Sequence, residues 1–453
     1  MKKIFTLCCI LAATYANAQT LTKFTTEENE NGYQVMDISN NGKYIGGVTL
    51  LGEMFIIDVE KKEAKLKETL DPNGGAEIRG VSNNGIGVGF NEIIATLSAG
   101  GEFKVVEEKS EDSYGLGEDI SDDGTIIAGA MVNNNYGDGW LKKPCIWING
   151  VRKMLPEPTT EEIGFNYNGA STKHISADGS VILGHLMDDV SLEPAALWIK
   201  DGDTYRLDSI WKGRFHPTQY DEELGDFRKY DEPYVNFRWG GLSANGKYAV
   251  LTISENLGEE ENEYGWVVQI NTEDRIGIYD IENKELKIIT IDGNHGIDAG
   301  TSVTPTAVSN DGTVVGYTTG QWFDPRNAII LKAGENQPRL LKDVYGSLEA
   351  LAEYDDNGFH TVTGITGDGR YITGFGSVLS EKEIDGEIIP TAIVESYVLD
   401  TKGNITDGIS NITNNTKKNA EYFTVDGRKI SAPVKGLNII KTSNGETRKF
   451  FVK

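Results

Sequence analysis

One short pattern recurs seven times in this chain and limits its fold more than any other feature. An aliphatic residue is followed by Ser or Thr, any residue, Asn or Asp, and Gly, and β-branched or aromatic residues come next. Because Asn-Gly and Asp-Gly tolerate positive φ angles, the pattern predicts a type I′ turn between two antiparallel strands. We call it the tip motif; its copies are Ile38–Gly42, Val81–Gly85, Ile120–Gly124, Ile175–Gly179, Leu242–Gly246, Val308–Gly312 and Ile365–Gly369.

Two more strand-like stretches follow most tips, an apolar third strand and a more polar fourth strand such as Glu63–Leu66. Four antiparallel strands, repeated at tip intervals of 39 to 67 residues, predict an all-β fold, a seven-bladed β-propeller of four-stranded blades. The seventh repeat lacks a fourth strand, which we expect Leu21–Thr26 to supply. The predicted third strands are Met54–Asp58, Ile93–Leu97, Cys145–Ile148, Ala196–Ile199, Ile276–Ile281, Ala328–Leu331 and Tyr397–Leu399.

The two ends of the chain differ from the repeats. Residues 1–18 have the basic start, apolar run and small-residue cleavage pattern of a secretory signal peptide. An Asn- and Thr-rich stretch follows the last repeat, and a compact pattern of strands and turns ends the chain. The predicted organisation is a signal peptide at 1–18, the propeller at 19–403, a linker at 404–421 and a small β domain at 422–453.

Charge and hydropathy restrict the partners. The chain has 69 Asp and Glu against 43 Lys and Arg, a formal net charge of −26. Such a surface repels nucleic acid and anionic membrane faces. Beyond the leader no apolar run has the length of a membrane span. We therefore predict an exported protein, secreted or held at the outer-membrane surface, with no nucleic-acid partner and no transmembrane segment.

Two resemblances extend this prediction. The tip motif, with Trp147 and Trp198 at matching places in buried third strands, resembles the propeller repeats of many exported bacterial proteins, a group defined by fold rather than by activity. The tail, with Tyr422–Lys429, Pro433–Lys441 and Lys449–Lys453, resembles the C-terminal sorting domain of the type IX secretion system of Bacteroidetes. This second resemblance implies the type IX secretion machinery as a partner, and release or attachment at the cell surface.

The long connections gather at one end of the predicted propeller. The tips and the third-to-fourth turns are short and share the other end, so the long-loop face is the expected binding surface. The aromatic-rich insertion Trp211–Trp239 suits stacking on sugar rings or anchoring a protein partner, or else supplies a small core for the insertion itself. The candidate ligand-binding residues are Trp211, His216, Tyr220, Tyr234, Trp239 and Trp322.

Signals for catalysis and metal binding are sparse. The five His residues form neither a His-Glu-x-x-His motif nor a close His/Cys cluster, so we assign no zinc site and no catalytic residue. His174 and His360 fall near the first strands, which line a propeller's centre, either as ligand contacts or as structural residues. The acidic run Glu259–Glu263 offers oxygen ligands for calcium or is a solvated loop. No other cofactor is expected.

Three functions fit these observations. The leading hypothesis is a propeller that binds a glycan or a surface protein on its long-loop face. The alternative is a hydrolase or lyase that acts on polysaccharide from the same face, for which paired carboxylates are available. A structural surface protein is the third hypothesis, and enzymatic activity is left open.

Overall fold

Strands make up most of the regular structure in the computed structural model. The part of the chain that it describes comprises residues 19–25, 32–71, 74–133, 142–159, 167–188, 195–209, 220–221, 226–227, 234–261, 267–319, 325–384, 387–402, 421–424, 428–430, 436–441 and 447–452. The predicted signal peptide at 1–18 and nearly all of the predicted linker lie outside these residues.

The strands between residues 20 and 400 follow the predicted repeats closely. Two predicted third strands, Met54–Asp58 and Ala328–Leu331, have the observed bounds. The first seventeen strands are β1 (Thr20–Phe24), β2 (Tyr33–Ile38), β3 (Tyr44–Thr49), β4 (Met54–Asp58), β5 (Glu63–Lys67), β6 (Ala76–Val81), β7 (Ile86–Asn91), β8 (Ile93–Ser98), β9 (Phe103–Val105), β10 (Ser113–Ile120), β11 (Ile126–Asn133), β12 (Lys142–Ile148), β13 (Val151–Met154), β14 (Tyr167–Ile175), β15 (Val181–Asp188), β16 (Ala195–Asp201) and β17 (Thr204–Ser209).

The second half of the repeats has longer strands and two helices. The strands are β18 (Tyr220–Asp221), β19 (Asp226–Phe227), β20 (Tyr234–Leu242), β21 (Tyr248–Glu261), β22 (Val267–Asn271), β23 (Arg275–Asp280), β24 (Glu285–Ile289), β25 (Ser302–Val308), β26 (Val314–Thr319), β27 (Ala328–Leu331), β28 (Arg339–Leu340), β29 (His360–Ile365), β30 (Tyr371–Ile384) and β31 (Glu387–Asp400). The helices are α1 (Leu341–Val344) and α2 (Glu349–Asp356).

Most strands belong to four-stranded antiparallel groups. Strands β2–β5, β6–β9 and β25–β28 form such sheets in chain order, and β20, β21, β23 and β24 do the same with β22 added to β21. Strand β1 completes the sheet of β29, β30 and β31, which confirms the predicted contribution of the chain's beginning to the last repeat. Strands β10–β13 and β14–β17 share one eight-stranded sheet, joined by the single parallel pair Lys142–Gly169.

The first strands of successive groups lie side by side around a common centre. Their order is β2, β6, β10, β14, β20, β25 and β29, and β29 lies beside β2 again. This radial arrangement of four-stranded sheets is a β-propeller, so the predicted fold class is confirmed. The number of blades stays a prediction, because two of the groups share one hydrogen-bonded sheet.

Apolar side chains from neighbouring sheets fill the space between them. Trp147 and Trp198, predicted to be core residues, have no solvent exposure. The indole N–H of Trp147 donates to Glu107 at 2.6 Å, and that of Trp198 donates to the Pro156 carbonyl oxygen at 2.8 Å. Both buried polar groups are therefore satisfied, as the low polarity of the core requires.

The connection from Asp343 to His360, predicted to be a long loop, contains helices α1 and α2. Ala, Leu and Glu, which favour helices, dominate α2, and its Leu351 and Tyr354 are buried against the last sheet. The loop prediction is therefore wrong here. Among the described residues, no helix combines the length and apolar character needed to cross a membrane.

The C-terminal segment forms a small sheet of its own. Its strands are β32 (Glu421–Thr424), β33 (Lys429–Ile430), β34 (Gly436–Lys441) and β35 (Thr447–Val452), in the order β33-β32-β34-β35. Strand β32 pairs antiparallel with β33, and β34 with β35, whereas the turns predicted at Asp426-Gly427 and Asn444-Gly445 lie outside the described residues. The sorting function of this sheet stays a prediction.

The tips join first and second strands as predicted, but the turn type differs. In the first tip, Gly42 N–H donates to the Ser39 carbonyl oxygen at 2.8 Å. Only the glycine of each tip takes a positive φ, Gly42 for example at 71°, and the preceding Asn or Asp does not. A type I′ turn needs positive φ at both positions, so that prediction is wrong.

Candidate functional site

Each tip is held by a hydrogen-bond pattern that explains the motif. Ser39 Oγ donates to Asn41 Oδ1 at 2.8 Å and accepts from Tyr44 N–H at 3.0 Å. The motif therefore needs a hydroxyl and a side-chain oxygen two residues apart, because they replace the water that the turn's backbone groups would otherwise bind. The same hydroxyl-to-oxygen bond occurs in the other six tips, at Ser82–Asn84, Ser121–Asp123, Ser176–Asp178, Ser243–Asn245, Ser309–Asp311 and Thr366–Asp368.

Hydrogen bonds also join the tips to one another in a closed ring. The third residue of each tip motif lies in this ring, as when Ala177 N–H donates to the Ala244 carbonyl oxygen at 2.8 Å. The last tip returns to the first, because Gly367 N–H donates to Asn40 Oδ1 at 2.9 Å. The remaining links are Asn41–Asn83, Asn83–Asp122, Asp122–Ala177, Asn245–Asn310 and Asn310–Gly367. We call this end of the propeller the tip end.

Every first strand contains a β-bulge three residues before its tip hydroxyl. The pairing of β6 with β7, for example, skips from Ile78 to Gly80 and leaves Arg79 without an opposite residue. A bulge re-aims the extra side chain. We call the skipped residues the bulge positions; they are Met36, Arg79, Glu118, Lys173, Gly240, Thr306 and Thr363.

All of these bulge positions line one cavity of about 640 Å³ at the centre of the first strands. This volume lies within the range of small-molecule sites. Arg326, on the connection between β26 and β27, also lines it, so the cavity is at the long-loop end rather than the tip end. Further lining residues in the described part of the chain are Glu77, His174, Thr252, Thr304, Pro305, Tyr317, Thr361 and Phe375. We call it the central cavity.

One side of the central cavity carries a network of charged residues from β6, β10 and β14. Glu118, with 5% of its side chain exposed, accepts from Arg79 Nη1 at 2.7 Å and from Lys173 Nζ at 3.1 Å. Arg79 also pairs with Glu77. Burial alone would raise the pKa of Glu118, but the Lys173 ammonium and the Arg79 guanidinium outweigh burial and lower that pKa. Glu118 therefore stays ionised and structurally engaged.

The opposite side of the cavity is neutral and rich in threonine. Thr306 Oγ1 donates to the Val362 carbonyl oxygen at 2.8 Å. The hydroxyl oxygens of Thr361 and Thr363, two residues apart on β29, are buried and make no hydrogen bond within the described part of the chain. A buried polar group without a partner costs about 1–3 kcal/mol. Both residues line the central cavity, which makes their hydroxyls candidates for hydrogen bonds to a ligand there.

A layer of acidic residues and His174 lies between the central cavity and the tips. Asp37 accepts from Val81 N–H at 2.7 Å, and Asp119 accepts from Ile175 N–H at 2.9 Å. Burial raises the pKa of Asp37 to about 7 against these hydrogen bonds. Burial and then the Asp37 charge raise the pKa of Asp119 well above its usual value. Burial and then Lys173 lower the pKa of His174 to about 4, so this ring is neutral at pH 7.

Close packing of the first strands in this layer requires glycine at some positions. A Cβ on Gly80 would lie 2.5 Å from Asp119 Oδ1 and 2.6 Å from Asp119 Cα. The residue after each bulge position is accordingly small in four of the strands: Gly80, Gly241, Ala307 and Gly364. The tip end has a separate recess of about 380 Å³ that shares no lining residue with the central cavity.

The predicted aromatic binding residues are placed only in part. Trp211, His216 and Trp322 lie outside the described residues. The backbone of Tyr220 belongs to the short strand β18, which pairs with β19. The other two candidates, Tyr234 and Trp239, belong to strand β20.

The insertion Trp211–Trp239 was predicted as one long loop, and this is wrong for its last part. Residues from Tyr234 onward pair with β21, Trp239 opposite Leu251. Val235, Phe237 and Trp239 fall at every second position of this stretch, a pattern that favours a strand because β-branched and aromatic residues fit a pleated surface. Trp239 occupies the first-strand position directly before the bulge at Gly240. Whether these aromatic residues bind a ligand stays a prediction.

The two histidines chosen from the sequence have different environments. His174 lines the central cavity, so the ligand-contact hypothesis stays open for it. His360 is fully buried between Asp355, 2.6 Å from its Nδ1, and the Tyr397 hydroxyl, 2.9 Å from its Nε2. Burial lowers the pKa of His360, and Asp355 offsets part of that effect. These contacts give His360 the structural role, linking α2 to the last sheet.

The calcium hypothesis is not tested by the structure. Glu259–Glu261 end strand β21, and Asn262 and Glu263 lie outside the described residues. Within the described ranges, no group of three or more His, Cys, Asp or Glu side chains is placed to hold a metal ion.

Apart from His174, sequence reasoning missed the residues of the central cavity. They are ordinary Arg, Glu, Lys and Thr residues without a catalytic motif. A usable signal was present nevertheless, because each bulge position lies two residues before the aliphatic residue of its tip motif. If the repeats are aligned on their tip motifs, the residues two positions before the aliphatic residue are the bulge positions that line the central cavity.

Comparisons with known proteins indicate no family. No family model matches the chain, and no curated protein does. Among solved structures, an oligogalacturonate lyase from Vibrio parahaemolyticus is 12% identical with a TM-score of 0.47, over 84% of this chain and 97% of that one. TolB from Acinetobacter baumannii is 12% identical with a TM-score of 0.35, over 80% of this chain and 82% of that one. Similarities of this size assign neither a ligand nor an activity.

Proposed function

We propose that this chain is an exported binding propeller whose central cavity takes a polyhydroxylated ligand, such as the end of a glycan, from the long-loop face. The observation that carries the proposal is the pair of buried, unpartnered Thr361 and Thr363 hydroxyls in a cavity of about 640 Å³. Hydroxyl groups of a sugar both donate and accept, so they match threonine hydroxyls of either orientation.

The rest of the cavity fits the same ligand class. A preformed concave site needs a few placed polar groups among apolar ones to bind a small ligand. Tyr317 and Phe375 supply aromatic surface, and the ion-paired Arg79 and Glu118 supply fixed donors and acceptors on the other side. The aromatic residues predicted in the insertion, Trp211 above all, extend the proposal to the rim of the long-loop face.

A glycan-array screen followed by calorimetric titration of the full chain tests this proposal. Thr361→Val removes one unpartnered hydroxyl at constant shape and is expected to weaken the array hit about fivefold to tenfold. Thr96→Val on the third strand β8 removes an exposed hydroxyl remote from the cavity and serves as the matched control. Trp211→Ala reports on the insertion.

The outcomes separate the two locations. Loss of affinity in Thr361→Val but not in Thr96→Val supports the central cavity, and loss in Trp211→Ala supports a rim contribution. Equal affinity of wild type and Thr361→Val would remove the cavity from the proposal. Absence of any glycan hit would overturn the ligand class and favour a protein partner or a structural role.

An enzyme that cleaves polysaccharide is the second candidate, because Glu77 and Glu118 both face the cavity. The lowered pKa of Glu118 makes it a poor proton donor and a weak base. Product analysis of each array hit, with Glu77→Gln beside the wild type, tests this candidate. Cleavage that Glu77→Gln abolishes would establish the enzyme, whereas intact glycan after prolonged incubation would leave a binding protein.

A further inference from the structure

Arg326 is fixed in place at the long-loop end of the central cavity. Its backbone N–H donates to the Gly358 carbonyl oxygen at 3.1 Å, and its carbonyl oxygen accepts from His360 N–H at 3.0 Å. The guanidinium carbon lies 5.4 Å from the centre of the Tyr317 ring and 5.6 Å from that of Phe359. Cation–π contacts of this length hold a guanidinium while leaving its in-plane N–H donors to other partners.

Arg326 makes no ion pair in the described part of the chain, although the protein carries 69 acidic residues. Other arginines do have carboxylate partners: Arg79, Arg152, Arg206, Arg339 and Arg370 each lie within 3.1 Å of an Asp or Glu oxygen. Arg326 is also exposed. Its forked donors therefore remain available at the cavity's mouth.

The net charge of the described residues that line the cavity has the opposite sign to the net charge of the whole chain. Among the described residues that line it, three are cationic, Arg79, Lys173 and Arg326, and two are anionic, Glu77 and Glu118. These residues give the cavity an excess of one positive charge in a protein of net charge −26. Such a local excess inside an acidic surface favours an anionic group at that place.

Building on the proposed function, we infer that the ligand of the central cavity is an acidic saccharide, whose carboxylate pairs with Arg326 while its hydroxyls bond Thr361 and Thr363. The planar fork of a guanidinium matches the two oxygens of a carboxylate in a bidentate pair. The single excess charge of the cavity is balanced by one uronate group. Arg326 is then the residue that distinguishes acidic from neutral sugars.

Calorimetric titration with a matched pair of probes tests the inference. The probes are a glucuronate trisaccharide and its methyl ester, which has the same hydroxyls without the charges, and inorganic phosphate is titrated alone as a free anion. The variants are Arg326→Gln, Arg326→Lys and, as a matched loss of charge on outer strand β17, Arg206→Gln. Thermal unfolding of each variant confirms that it is folded.

We expect the wild type to bind the acid about tenfold to a hundredfold more tightly than the ester. Arg326→Gln abolishes this preference, Arg326→Lys restores part of it, and Arg206→Gln leaves it unchanged. Raising the salt concentration from about 0.05 M to about 0.5 M weakens binding of the acid and not of the ester.

Different failures have different meanings. Equal binding of acid and ester, or binding only of neutral glycans, would overturn the inference and leave the proposed function in place. Phosphate held through Arg326 as tightly as the trisaccharide would replace the acidic saccharide by a free anion. Absence of binding by the trisaccharide, the ester and every neutral glycan of the array would overturn the proposed function itself.

Discussion

The tip end and the central cavity are built from the same strands, a few residues apart, yet they satisfy their polar groups differently. At the tip end, seven hydroxyls each bond a side-chain oxygen of their own tip, and backbone N–H groups that donate to backbone or Asn side-chain oxygens of the next tip close the ring. In the cavity, the buried hydroxyls of Thr361 and Thr363 have no partner, and Arg326 has no carboxylate partner, among the residues that the structure describes. The residues that recur in every tip are therefore explained by the hydrogen bonds of the turn. The residues that differ between repeats leave hydrogen-bond donors and acceptors for a ligand.

The difference also shows how a repeat protein separates folding from function. The tip motif is kept in each repeat because every turn needs its Ser or Thr and its Asn or Asp. The bulge position, three residues before that hydroxyl, holds Met, Arg, Glu, Lys, Gly or Thr. If this difference is real, removing a hydroxyl at the tip end should destabilise the protein, and removing one in the central cavity should not. The charged network of the cavity is the exception, because its residues are paired with one another.

The largest expected effect comes from that exception. Glu118→Ala leaves Arg79 and Lys173 without their shared buried carboxylate, which we expect to lower the free energy of unfolding by about 2–4 kcal/mol. The range lies below that of a fully dry pair because 26% of Arg79 and 15% of Lys173 are exposed to the cavity. Urea unfolding measures the change.

Glu77→Ala is the matched control for Glu118→Ala. It removes one carboxylate from the same network, but Arg79 keeps Glu118 as its partner. Glu77 is also about a quarter exposed, so we expect a loss below about 1 kcal/mol. Equal losses for the two variants would mean that Glu118 does not organise the charged side of the cavity.

The acidic residues between the central cavity and the tip end are expected to make the protein less stable as the pH rises. The pKa of Asp37 is raised to about 7 in the folded state, so folded protein keeps a proton that the unfolded chain releases above its ordinary value. The free energy of unfolding therefore falls between about pH 4 and about pH 7. Asp37→Asn removes this loss and should stabilise the protein at about pH 8 by roughly 2 kcal/mol.

Two neighbouring carboxyl groups change the pH dependence that Asp37 causes. A tip residue, Asp311, provides the control variant. Asp119 and Asp122 interact with Asp37, and Asp119 retains its own raised pKa in the variant, so part of the slope remains. Asp311 has a lowered pKa because hydrogen bonds from Ser309 and Thr313 outweigh its burial. Asp311→Asn should therefore cost below about 1 kcal/mol at pH 8 and nothing at low pH. A gain from Asp311→Asn, or a loss from Asp37→Asn, would contradict the assignment.

The smallest effects compare the two ends directly. Ser243→Ala removes a tip hydroxyl that bonds Asn245 Oδ1 at 2.8 Å and Tyr248 N–H at 2.9 Å, so we expect a loss of about 1–2 kcal/mol. Thr361→Val removes a hydroxyl with no partner and should be neutral or stabilise by up to about 1 kcal/mol. Thermal and urea unfolding of both variants measure the difference. A loss in Thr361→Val as large as in Ser243→Ala would end the contrast between the two ends.

The fold was largely predictable because turn chemistry is local. The tip motif fixed where first and second strands meet, and apolar runs such as Met54–Asp58 placed the third strands. Strand β1 was also predictable, since the last repeat lacked an outer strand. Helix α2 was missed because its helix-forming residues lie inside a connection that the repeat pattern reads only as an insertion.

The candidate site was much less predictable because it depends on register. Arg79, Glu118 and Lys173 are 39 and 55 residues apart in sequence and meet only because bulges at equivalent places aim them inward. Arg326 lies on the connection between β26 and β27 rather than on a first strand, and no feature of the sequence around it predicts that it lacks a carboxylate partner. Aromatic composition directed attention instead to Trp211–Trp239, whose last residues turned out to be strand β20.

The union of β1 with β31 also determines when the molecule can finish folding. Lys23 of β1 pairs with Glu395 of β31 at 2.7 Å, and the next strand, β2, also contacts β31, because Ser396 Oγ accepts from Val35 N–H across 361 residues. Closing so long a loop carries a large entropy cost in the transition state, so this pairing is expected to come late and slowly. Until then β31 has an unpaired edge, open to other chains. The interval before β1 pairs with β31 is therefore expected to be the one in which a folding chain is most prone to aggregate.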